Sequence, residues 1–464
     1  MLVHGVLAPG TALHAMLYKR DSRAAFGWIA VCVILPLLGP VLYLLFGINR
    51  VRTRAAHIRS PSFTPGYERG DAHLQRHPLP PSLEPEYEPL ARVGAGLSRH
   101  PLLAGNTVLP LHDGEGAYPQ MLDAIDNARE RVLLNSYIFD SDSSGRRFVD
   151  AFAAAAARGV EVRVLVDGLG EFYSRPRISR LLRRSDVTCA RFLPLRVFPP
   201  SLHVNLRSHH KLLICDNTVG FTGGMNIGDR HLVQSADGHR VRDMHFSFRG
   251  PLVAQLEQTF IDSWHFASGE RLSPGPPPTE AGAVRCRVIT DGPDEDLDRL
   301  TMLLVSAISL ARDRILIMTP YFLPPREIIA ALQAAAVRGV EVVIVLPEEN
   351  NLPFVHWATR NMLWEVLMRG VRVIYQPPPF AHTKLFVVDD AYTLVGSANW
   401  DARSLRLNFE LVVEIYGQDF AAAMATHVMA AVEAGRPVDL QQLDSRALPA
   451  RLRDSICWLF TPYL

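Results

Sequence analysis

Two stretches of this chain are nearly alike: RSHHKLLICDNTVGFTGGMN at residues 207–226 and FAHTKLFVVDDAYTLVGSAN at residues 380–399. Each contains the pattern His-x-Lys-x4-Asp-x6-Gly, which starts at His209 in the first copy and at His382 in the second. Such a pattern is too long to recur at matched places by chance. The repetition therefore indicates an internal duplication.

The segments around the two stretches match in the same order. In each half an apolar run precedes an alanine-rich segment, which ends in the pentapeptide RGVEV at Arg158 and at Arg338, and a second apolar run follows. Strands that alternate with a helix in this way predict an α/β fold with a mostly buried sheet. We predict two tandem α/β repeats related by pseudo-twofold symmetry, at 106–272 and 284–437, joined by the proline-rich linker 273–283 and followed by a tail, 438–464.

The N-terminus predicts a membrane anchor over residues 1–49. Residues 24–48 contain no charged side chain, and about 20 apolar residues suffice to cross a bilayer. Pro36 and Pro40 would kink a helix there and also permit a re-entrant hairpin. The apolar stretch 2–18 is a possible short span before it. Arginines on both sides of the run slightly favour a cytoplasmic catalytic body; they are Arg20, Arg23, Arg50, Arg52, Arg54 and Arg59.

Two further segments lie outside the repeats. Residues 50–105 are rich in proline and polar residues, which predicts a tether that buries little. In the tail, four apolar residues recur at intervals of four with Arg451 and Asp454 on the other side; they are Leu448, Leu452, Ile456 and Phe460. This pattern predicts an amphipathic helix, either docked on the protein or lying among lipid headgroups.

Composition excludes some functional classes. The formal net charge of +1 gives no global basic field of the kind that marks most nucleic-acid-binding proteins, so no nucleic-acid partner is expected. The five cysteines are scattered, without a CxxC pair, which predicts neither a disulfide framework nor a zinc site; they are Cys32, Cys189, Cys215, Cys286 and Cys457. His203 and His210 lie near His209, but His210 should face the other side of a strand, so no metal site is expected.

The repeated stretch points to chemistry on a phosphodiester. On a strand, residues two apart share a face, so His209 lies beside Lys211 and His382 beside Lys384. Histidine acts as a nucleophile or acid near neutral pH, and lysine is a compact charge for phosphate oxygens. Two halves would thus supply a nucleophile on one side of phosphorus and a proton donor on the other.

The rest of the motif supports this interpretation. Its Gly-Gly and Gly-Ser pairs allow close approach of the backbone to a ligand, and its asparagines can donate hydrogen bonds; these are Gly223 and Gly224 with Asn226, and Gly396 and Ser397 with Asn399. The chain has only three lysines, Lys19, Lys211 and Lys384. Two of the three thus stand at matched motif positions, where a point charge is needed and a planar guanidinium need not fit. Tyr137 and Tyr321 also match between the halves, as core residues or as walls of a pocket.

The paired motifs resemble those of the phospholipase D superfamily. From LPLLGPVLYLLFG to LPARLRDSICWLFTPYL the chain is similar to the bacterial cardiolipin synthase family within it. The resemblance implies two phospholipase D-like α/β repeats that share one active site, and a reaction through a phosphohistidine without metal or other cofactor. It implies His209 as nucleophile and His382 as general acid. Lys211, Lys384, Asn226 and Asn399 would then hold the phosphoryl oxygens.

The resemblance also implies that a downstream carboxylate orients each catalytic imidazole. The sequence offers Asp243, in VRDMHFSFRGP, and Glu410, in LNFELVVEIYG. Asp216 and Asp389 are the acidic members of the motif and belong to the predicted site, although a structural role suits them better than a chemical one.

The implied activity is transfer of a phosphatidyl group from one phosphatidylglycerol to another, giving cardiolipin and glycerol at the bacterial inner membrane. The partners would be phosphatidylglycerol and other membrane lipids. Three alternatives remain open: hydrolysis of a phospholipid to phosphatidic acid, cleavage of nucleic acid, and a lipid-binding scaffold without catalysis. Acceptor choice depends on water exclusion and pocket shape, which the motif does not specify.

Overall fold

The computed structural model describes residues 2–19, 22–47, 77–80, 83–194, 206–234, 240–293 and 298–461. Contacts divide the chain into two compact units, Met1–Phe63 and Thr64–Leu464. Several sequence predictions fall outside the described residues: most of the tether, His203, and the arginines at 20 and 50–59 that flank the apolar run.

The N-terminal unit is built from short helices. They are α1 (Leu2–Tyr18), α2 (Ser22–Ile34), α3 (Leu38–Leu42) and a π-helical turn, Tyr43–Gly47. The predicted continuous span over 24–48 is not supported, because the helix ends at Ile34 and Leu37 adopts a left-handed conformation with φ of 62°. Pro36, which lacks a backbone N–H, accounts for the break. Within the described ranges, no helix combines the length and the apolarity that crossing a bilayer requires.

The second unit contains nineteen strands among the described residues. They are β1 (Leu103–His112), β2 (Arg131–Ser136), β3 (Glu161–Asp167), β4 (Thr188–Phe192), β5 (Lys211–Cys215), β6 (Val219–Gly223), β7 (Val241–Arg242), β8 (Met244–Arg249), β9 (Val284–Asp291), β10 (Arg314–Met318), β11 (Phe322–Leu323), β12 (Glu341–Pro347), β13 (Arg372–Gln376), β14 (Phe380–Ala381), β15 (Leu385–Val388), β16 (Tyr392–Gly396), β17 (Trp400–Asp401), β18 (Glu410–Tyr416) and β19 (Arg436–Pro437).

The helices of this unit are α4 (Glu88–Leu97), α5 (Asp113–Asp126), α6 (Ser143–Ala157), α7 (Ile178–Arg184), α8 (Leu252–Ser268), α9 (Arg299–Leu310), α10 (Arg326–Val337), α11 (Pro353–Leu367), α12 (Ala402–Arg406), α13 (Gln418–Ala434), α14 (Leu440–Asp444) and α15 (Leu448–Leu459). Short 3₁₀ helices occupy Pro85–Tyr87, Gly170–Phe172 and Asp229–His231.

Fifteen strands form one sheet whose two halves have the same internal order. The first half runs β4-β3-β2-β5-β6-β8-β1, and the second runs outward as β9-β18-β16-β15-β10-β12-β13-β19. The halves join through the antiparallel pair β1 and β9, where Leu103 is opposite Cys286. Helices α8 and α13 cover one face with a core that draws on both halves. The fold is thus mixed α/β; the exact repeat bounds stay a prediction.

Helix α4 forms the last part of the predicted tether. Four residues of its inner face are buried: Leu90, Ala91, Gly94 and Ala95. They recur at helical spacing, so this part of the segment has an apolar face despite the polar composition around it.

The tail helix α15 is docked through its polar side. Asp454 is fully buried and accepts hydrogen bonds from Arg360 and Arg453, and it also pairs with Arg446. The predicted apolar stripe faces outward instead: Leu448, Leu452, Ile456 and Phe460 are 76%, 59%, 48% and 57% exposed. A buried carboxylate needs partners, and three arginines satisfy it here. The helix is therefore docked and still presents an apolar face.

Candidate active site

Each motif histidine lies where the two repeats meet. His209 precedes β5 and His382 precedes β15, both central strands of their half-sheets. The backbone N–H of His209 donates to the carbonyl of Phe409, at 2.9 Å, and that of His382 donates to the carbonyl of Arg242, at 2.7 Å. Each histidine is therefore fixed on the backbone of the other repeat.

The two imidazoles are held by carboxylates that cross between the repeats. Nδ1 of His209 lies 2.9 Å from Oε2 of Glu410, and Nδ1 of His382 lies 2.7 Å from Oδ2 of Asp243. The structure thus brings both predicted carboxylates to the site. Each repeat thus orients the histidine of the other repeat. Arg242, which precedes Asp243, pairs with Ala381, which precedes His382, and Phe409 and Ser208 pair in the same way before Glu410 and His209.

The supports of the two carboxylates differ. Glu410 accepts hydrogen bonds from the hydroxyl of Ser397, at 2.5 Å, and from the side-chain amide of Asn408, at 3.1 Å. Asp243 accepts from the N–H of Met244 at 2.8 Å. At the position that matches Ser397, Gly224 leaves room for Asp243: a Cβ there would lie 2.4 Å from Oδ1. Gly224 and Ser397 both lie against the carboxylates, and their contact with substrate stays a prediction.

Gly224→Ala is expected to lower the rate about 100-fold, because the methyl group would push Asp243 away from His382 and leave that imidazole unoriented. The measurement is initial rate of lipid product formation at saturating lipid. Gly96→Ala is the matched control, since a Cβ at Gly96 meets nothing within 4 Å. An unchanged rate in Gly224→Ala would show that the close approach does not position Asp243.

Both lysines are buried beside their histidines. Nζ of Lys211 donates to the carbonyl of His209 at 2.8 Å, and Nζ of Lys384 donates to that of His382 at 2.6 Å. Lys384 also lies 2.9 Å from Nε2 of His382. Burial lowers the pKa of Lys211 to about 8 and that of Lys384 to about 7. A bound phosphate would favour the charged form of both again.

The imidazoles are neutral in this environment. Burial, and then the neighbouring positive charges of Lys211 and Lys384, hold the pKa of His209 well below its usual value; the same causes act on His382. With the carboxylate at Nδ1, the neutral ring carries its proton there and keeps a lone pair on Nε2. Each histidine is thus prepared to attack phosphorus or to accept a proton.

The asparagines also line up with the histidines. Asn226 is buried, and its amide oxygen accepts from the N–H of Ile138 at 3.1 Å, which leaves the NH₂ group for a ligand. Asn399 is buried too, and its NH₂ donates to Ser404 at 3.2 Å. The two positions match in sequence, but their present hydrogen bonds differ.

Asp216 and Asp389 do not reach the site. Asp216 follows the far end of β5 and accepts three backbone N–H groups, from residues 129–131, at 2.8 to 2.9 Å. Asp389 does the same for residues 312–314. Their inclusion in the predicted site is therefore corrected: a five-residue strand separates Asp216 from His209, and both carboxylates fix the turn that enters β2 or β10.

Several residues near the site were missed by the motif. Arg230 and Arg403 follow Asn226 and Asn399 by four residues each. The charge of Arg403 contributes to the lowered pKa of His209, and that of Arg230 to the lowered pKa of His382. Extending the comparison of the two copies by four residues would have found both.

The matched tyrosines are walls of the site. The ring of Tyr137 lies 5.1 Å from that of His209, and the ring of Tyr321 lies 6.3 Å from that of His382. A third missed residue, Asp167, accepts from the N–H of Ser208 at 3.0 Å and so fixes the backbone that leads into His209.

The sequence matches two family models. One, described as cardiolipin synthase, phospholipase D-like domain, covers residues 121–264 and 304–430. The other, described as phospholipase D-nuclease N-terminal, covers residues 7–47. The chain is 31% identical to the major cardiolipin synthase of Bacillus subtilis, over 96% of this chain and 95% of that protein. It is also 31% identical to cardiolipin synthase A of Pseudomonas putida, over 100% and 97%.

A solved structure has a similar fold. The phosphatidylserine synthase of Haemophilus influenzae superposes with a TM-score of 0.59 at 16% identity, over 81% of this chain and 100% of that one. At this identity the likeness concerns the fold alone.

Proposed function

The chain belongs to the cardiolipin synthase family of phospholipase D-like proteins, and on that premise we propose that it is a phosphatidyltransferase that makes cardiolipin. Its substrates are two molecules of phosphatidylglycerol, and its products are cardiolipin and glycerol. The observation that carries the proposal is the pair of buried imidazoles, His209 and His382, each with a carboxylate at its Nδ1. One ring can attack phosphorus while the other moves the proton of a hydroxyl.

In the first step Nε2 of His209 attacks phosphorus. A P–N bond forms, the P–O bond to the headgroup glycerol breaks, and His382 gives a proton to the departing oxygen. Glu410 stabilises the positive charge that develops on His209. The negative charge of the phosphodiester raises the pKa of His382, so its Nε2 carries a proton when substrate is bound.

In the second step a hydroxyl of another phosphatidylglycerol attacks the phosphohistidine. His382 takes the proton of that hydroxyl, the P–N bond breaks, and His209 returns to its neutral form. Lys211 and Lys384 neutralise the phosphoryl oxygens in both steps, so the proposal includes no metal or other cofactor.

The two roles follow the family resemblance. The lysines do not distinguish them, because each donates to the backbone carbonyl of its own histidine, and Lys384 lies 2.9 Å from Nε2 and 3.0 Å from Nδ1 of His382. Burial of both rings supports transfer over hydrolysis, because a dry site keeps water from the phosphohistidine.

The test is incubation of the detergent-solubilised full chain with isotope-labelled phosphatidylglycerol and a metal chelator, followed by mass spectrometry of the lipids. Labelled cardiolipin and free glycerol, absent in both His209→Ala and His382→Ala, are expected. Phosphatidic acid alone would show that water is the acceptor. No product from the wild type would contradict both chemical proposals.

The affinity for phosphatidylglycerol is expected to fall as the pH rises from about 6.5 to 8.5, because the Lys384 ammonium, with a pKa of about 7, is lost over that range. The half-saturating mole fraction of phosphatidylglycerol in mixed micelles, measured against pH, tests this. Lys384→Arg keeps its charge at every pH, so its half-saturating fraction should vary less than that of the wild type, and the variation that remains should centre near pH 8, the pKa of Lys211. A wild type without pH dependence would contradict the role of Lys384.

We also propose that the enzyme works at the surface of the bacterial inner membrane, on the cytoplasmic side. The exposed apolar face of α15 supports contact with a lipid surface, because an amphipathic helix with its apolar face free suits a lipid interface. The matches of residues 7–47 to a family N-terminal model and of 121–264 to its catalytic domain are consistent with one family architecture.

Leu452→Glu with Ile456→Glu is expected to weaken binding of the full chain to lipid vesicles, about tenfold, because two charges would replace apolar contacts with lipid. Vesicle flotation measures this. Leu109→Glu, at another exposed apolar side chain, is the control. Equal flotation of the wild type, the double variant and Leu109→Glu would contradict the proposal that α15 contacts lipid.

A further inference from the structure

A strongly basic pocket lies in the loop region between β3 and β4 of the first repeat. It is formed after β3 by the 3₁₀ helix Gly170–Phe172 and by α7. β3 runs parallel to β2, and the last residue of β2, Ser136, is paired with Lys211. The loop after β3 therefore leaves the sheet at the same edge as His209.

Ring contacts connect this loop to the site. Tyr173 lies 6.4 Å from Tyr137, which in turn lies 5.1 Å from His209, measured between ring centroids. The hydroxyl of Ser174 accepts a hydrogen bond from the backbone of Ser141, at 3.0 Å. The loop is thus a neighbour of the candidate active site and is attached to its wall.

The pocket has a volume of about 440 Å³, and no acidic side chain is among the residues described as lining it. Its basic lining consists of Arg175, Arg177, Arg180, Arg183 and Arg191. In a chain with a net charge of only +1, this is a local concentration of positive charge. Guanidinium groups bind phosphate oxygens in pairs of hydrogen bonds, so the lining suits a phosphate group.

Part of this charge is not neutralised by the protein. Buried Glu171 lies 3.2 Å from Arg191 and 4.0 Å from Arg177. For Arg175, Arg180 and Arg183, the described part of the chain places no carboxylate within ion-pair distance. These three guanidinium groups are available to an external anion.

One exposed aromatic ring, Phe172, lines the pocket, and a second, Tyr173, follows it in the chain. Phe172 is 44% and Tyr173 is 57% exposed, and the guanidinium of Arg177 lies 3.9 Å from the ring centre of Phe172. Aromatic rings beside arginines are typical of the region where headgroups meet acyl chains. A free phosphate ion has no apolar group to contact such rings, whereas a lipid has its glycerol backbone and acyl chains.

The second repeat does not present the same surface. Its corresponding helix, α11, packs against α15, and Arg360 on it is paired with the buried Asp454. The open basic pocket therefore distinguishes the His209 side of the site from the His382 side.

We infer that this basic pocket binds the headgroup of an anionic phospholipid on the His209 side of the active site, while the acyl chains of that lipid stay in the membrane or micelle. The inference rests on the proposed function in taking phospholipid as the substrate class, and it adds a second headgroup site outside the catalytic one. The pocket would raise the local concentration of anionic lipid where the phosphatidyl group is transferred.

The experiment uses the full chain in detergent micelles and follows amide hydrogen exchange of residues 168–185. We expect slower exchange when phosphatidylglycerol replaces phosphatidylcholine in the micelles, and reversal of that effect by added salt. In Arg180→Gln with Arg183→Gln the slowing should disappear, and the half-saturating mole fraction of phosphatidylglycerol should rise about tenfold.

The matched control is Arg312→Gln with Arg369→Gln, which removes the same charge. Both residues are exposed and precede β10 and β13, at the opposite edge of the sheet. This control should keep the slowing and the wild-type lipid dependence. Equal behaviour of the two double variants would overturn the inference.

Two further outcomes separate the explanations. If soluble glycerol phosphate slows exchange as strongly as phosphatidylglycerol at equal concentration, the pocket is a phosphate site and the lipid assignment fails. Exchange needs no turnover, so slowing specific to phosphatidylglycerol in a protein that makes no cardiolipin would leave the pocket in place and overturn the proposed function alone.

Discussion

His209→Ala is expected to abolish cardiolipin formation, with a loss of at least about 10⁴-fold in rate, because the proposed covalent route uses Nε2 of His209 as its nucleophile. The variant should also form no covalent phosphatidyl adduct. His382→Ala keeps the nucleophile and loses the proton donor, so it should form the adduct slowly. Intact-protein mass spectrometry after a neutral detergent quench, since phosphohistidine is labile in acid, measures the adduct directly.

His265→Ala, on the surface of α8, controls for the loss of an imidazole elsewhere and should retain wild-type rates. An adduct that persists in His209→Ala and is absent in His382→Ala would reverse the two roles. Cardiolipin formation by a wild type that never forms an adduct would point to direct displacement and contradict the phosphohistidine.

The catalytic histidines and lysines could be predicted from the sequence because their motif occurs twice. His-x-Lys recurs at matched places, and the strand periodicity of two residues puts each pair on one face, which the structure reproduces at Lys211 and Lys384. The carboxylates Asp243 and Glu410 were found through the family resemblance. Their crosswise pairing was not, because it depends on how β7 pairs with β14 and how Ser208 meets Phe409, and nothing local in the sequence specifies contacts between repeats.

The predicted membrane span is not supported, and the reason is physical. An uncharged run of 25 residues indicates a span only if the backbone continues as one helix, and Pro36 interrupts it. For α15 the sequence left open whether the helix is docked on the protein or lies among lipid headgroups, and three arginines around Asp454 dock its polar side. The sequence shows that these arginines are present, but it does not show that the fold brings them together around one carboxylate.

Because each carboxylate serves the histidine of the other repeat, Glu410→Gln and Asp243→Asn should differ in rate with one leaving group and not with another. With phosphatidylglycerol, Glu410→Gln and Asp243→Asn should each lower the rate roughly 10³- to 10⁴-fold, as expected when an imidazole loses the carboxylate that fixes its tautomer. Both steps need both histidines with this substrate, so the two variants should look alike.

A phosphatidyl ester of p-nitrophenol separates them, because p-nitrophenolate leaves without a proton and the general acid becomes dispensable in the first step. Asp243 serves His382, so Asp243→Asn should release its burst of p-nitrophenolate, one per enzyme, within about tenfold of the wild-type rate. Glu410 serves the nucleophile His209, so Glu410→Gln should remain at least about 10³-fold slow. Stopped-flow absorbance measures both bursts, and each variant is the control for the other. If each carboxylate instead served the histidine of its own repeat, the order would invert: Glu410→Gln would recover and Asp243→Asn would not.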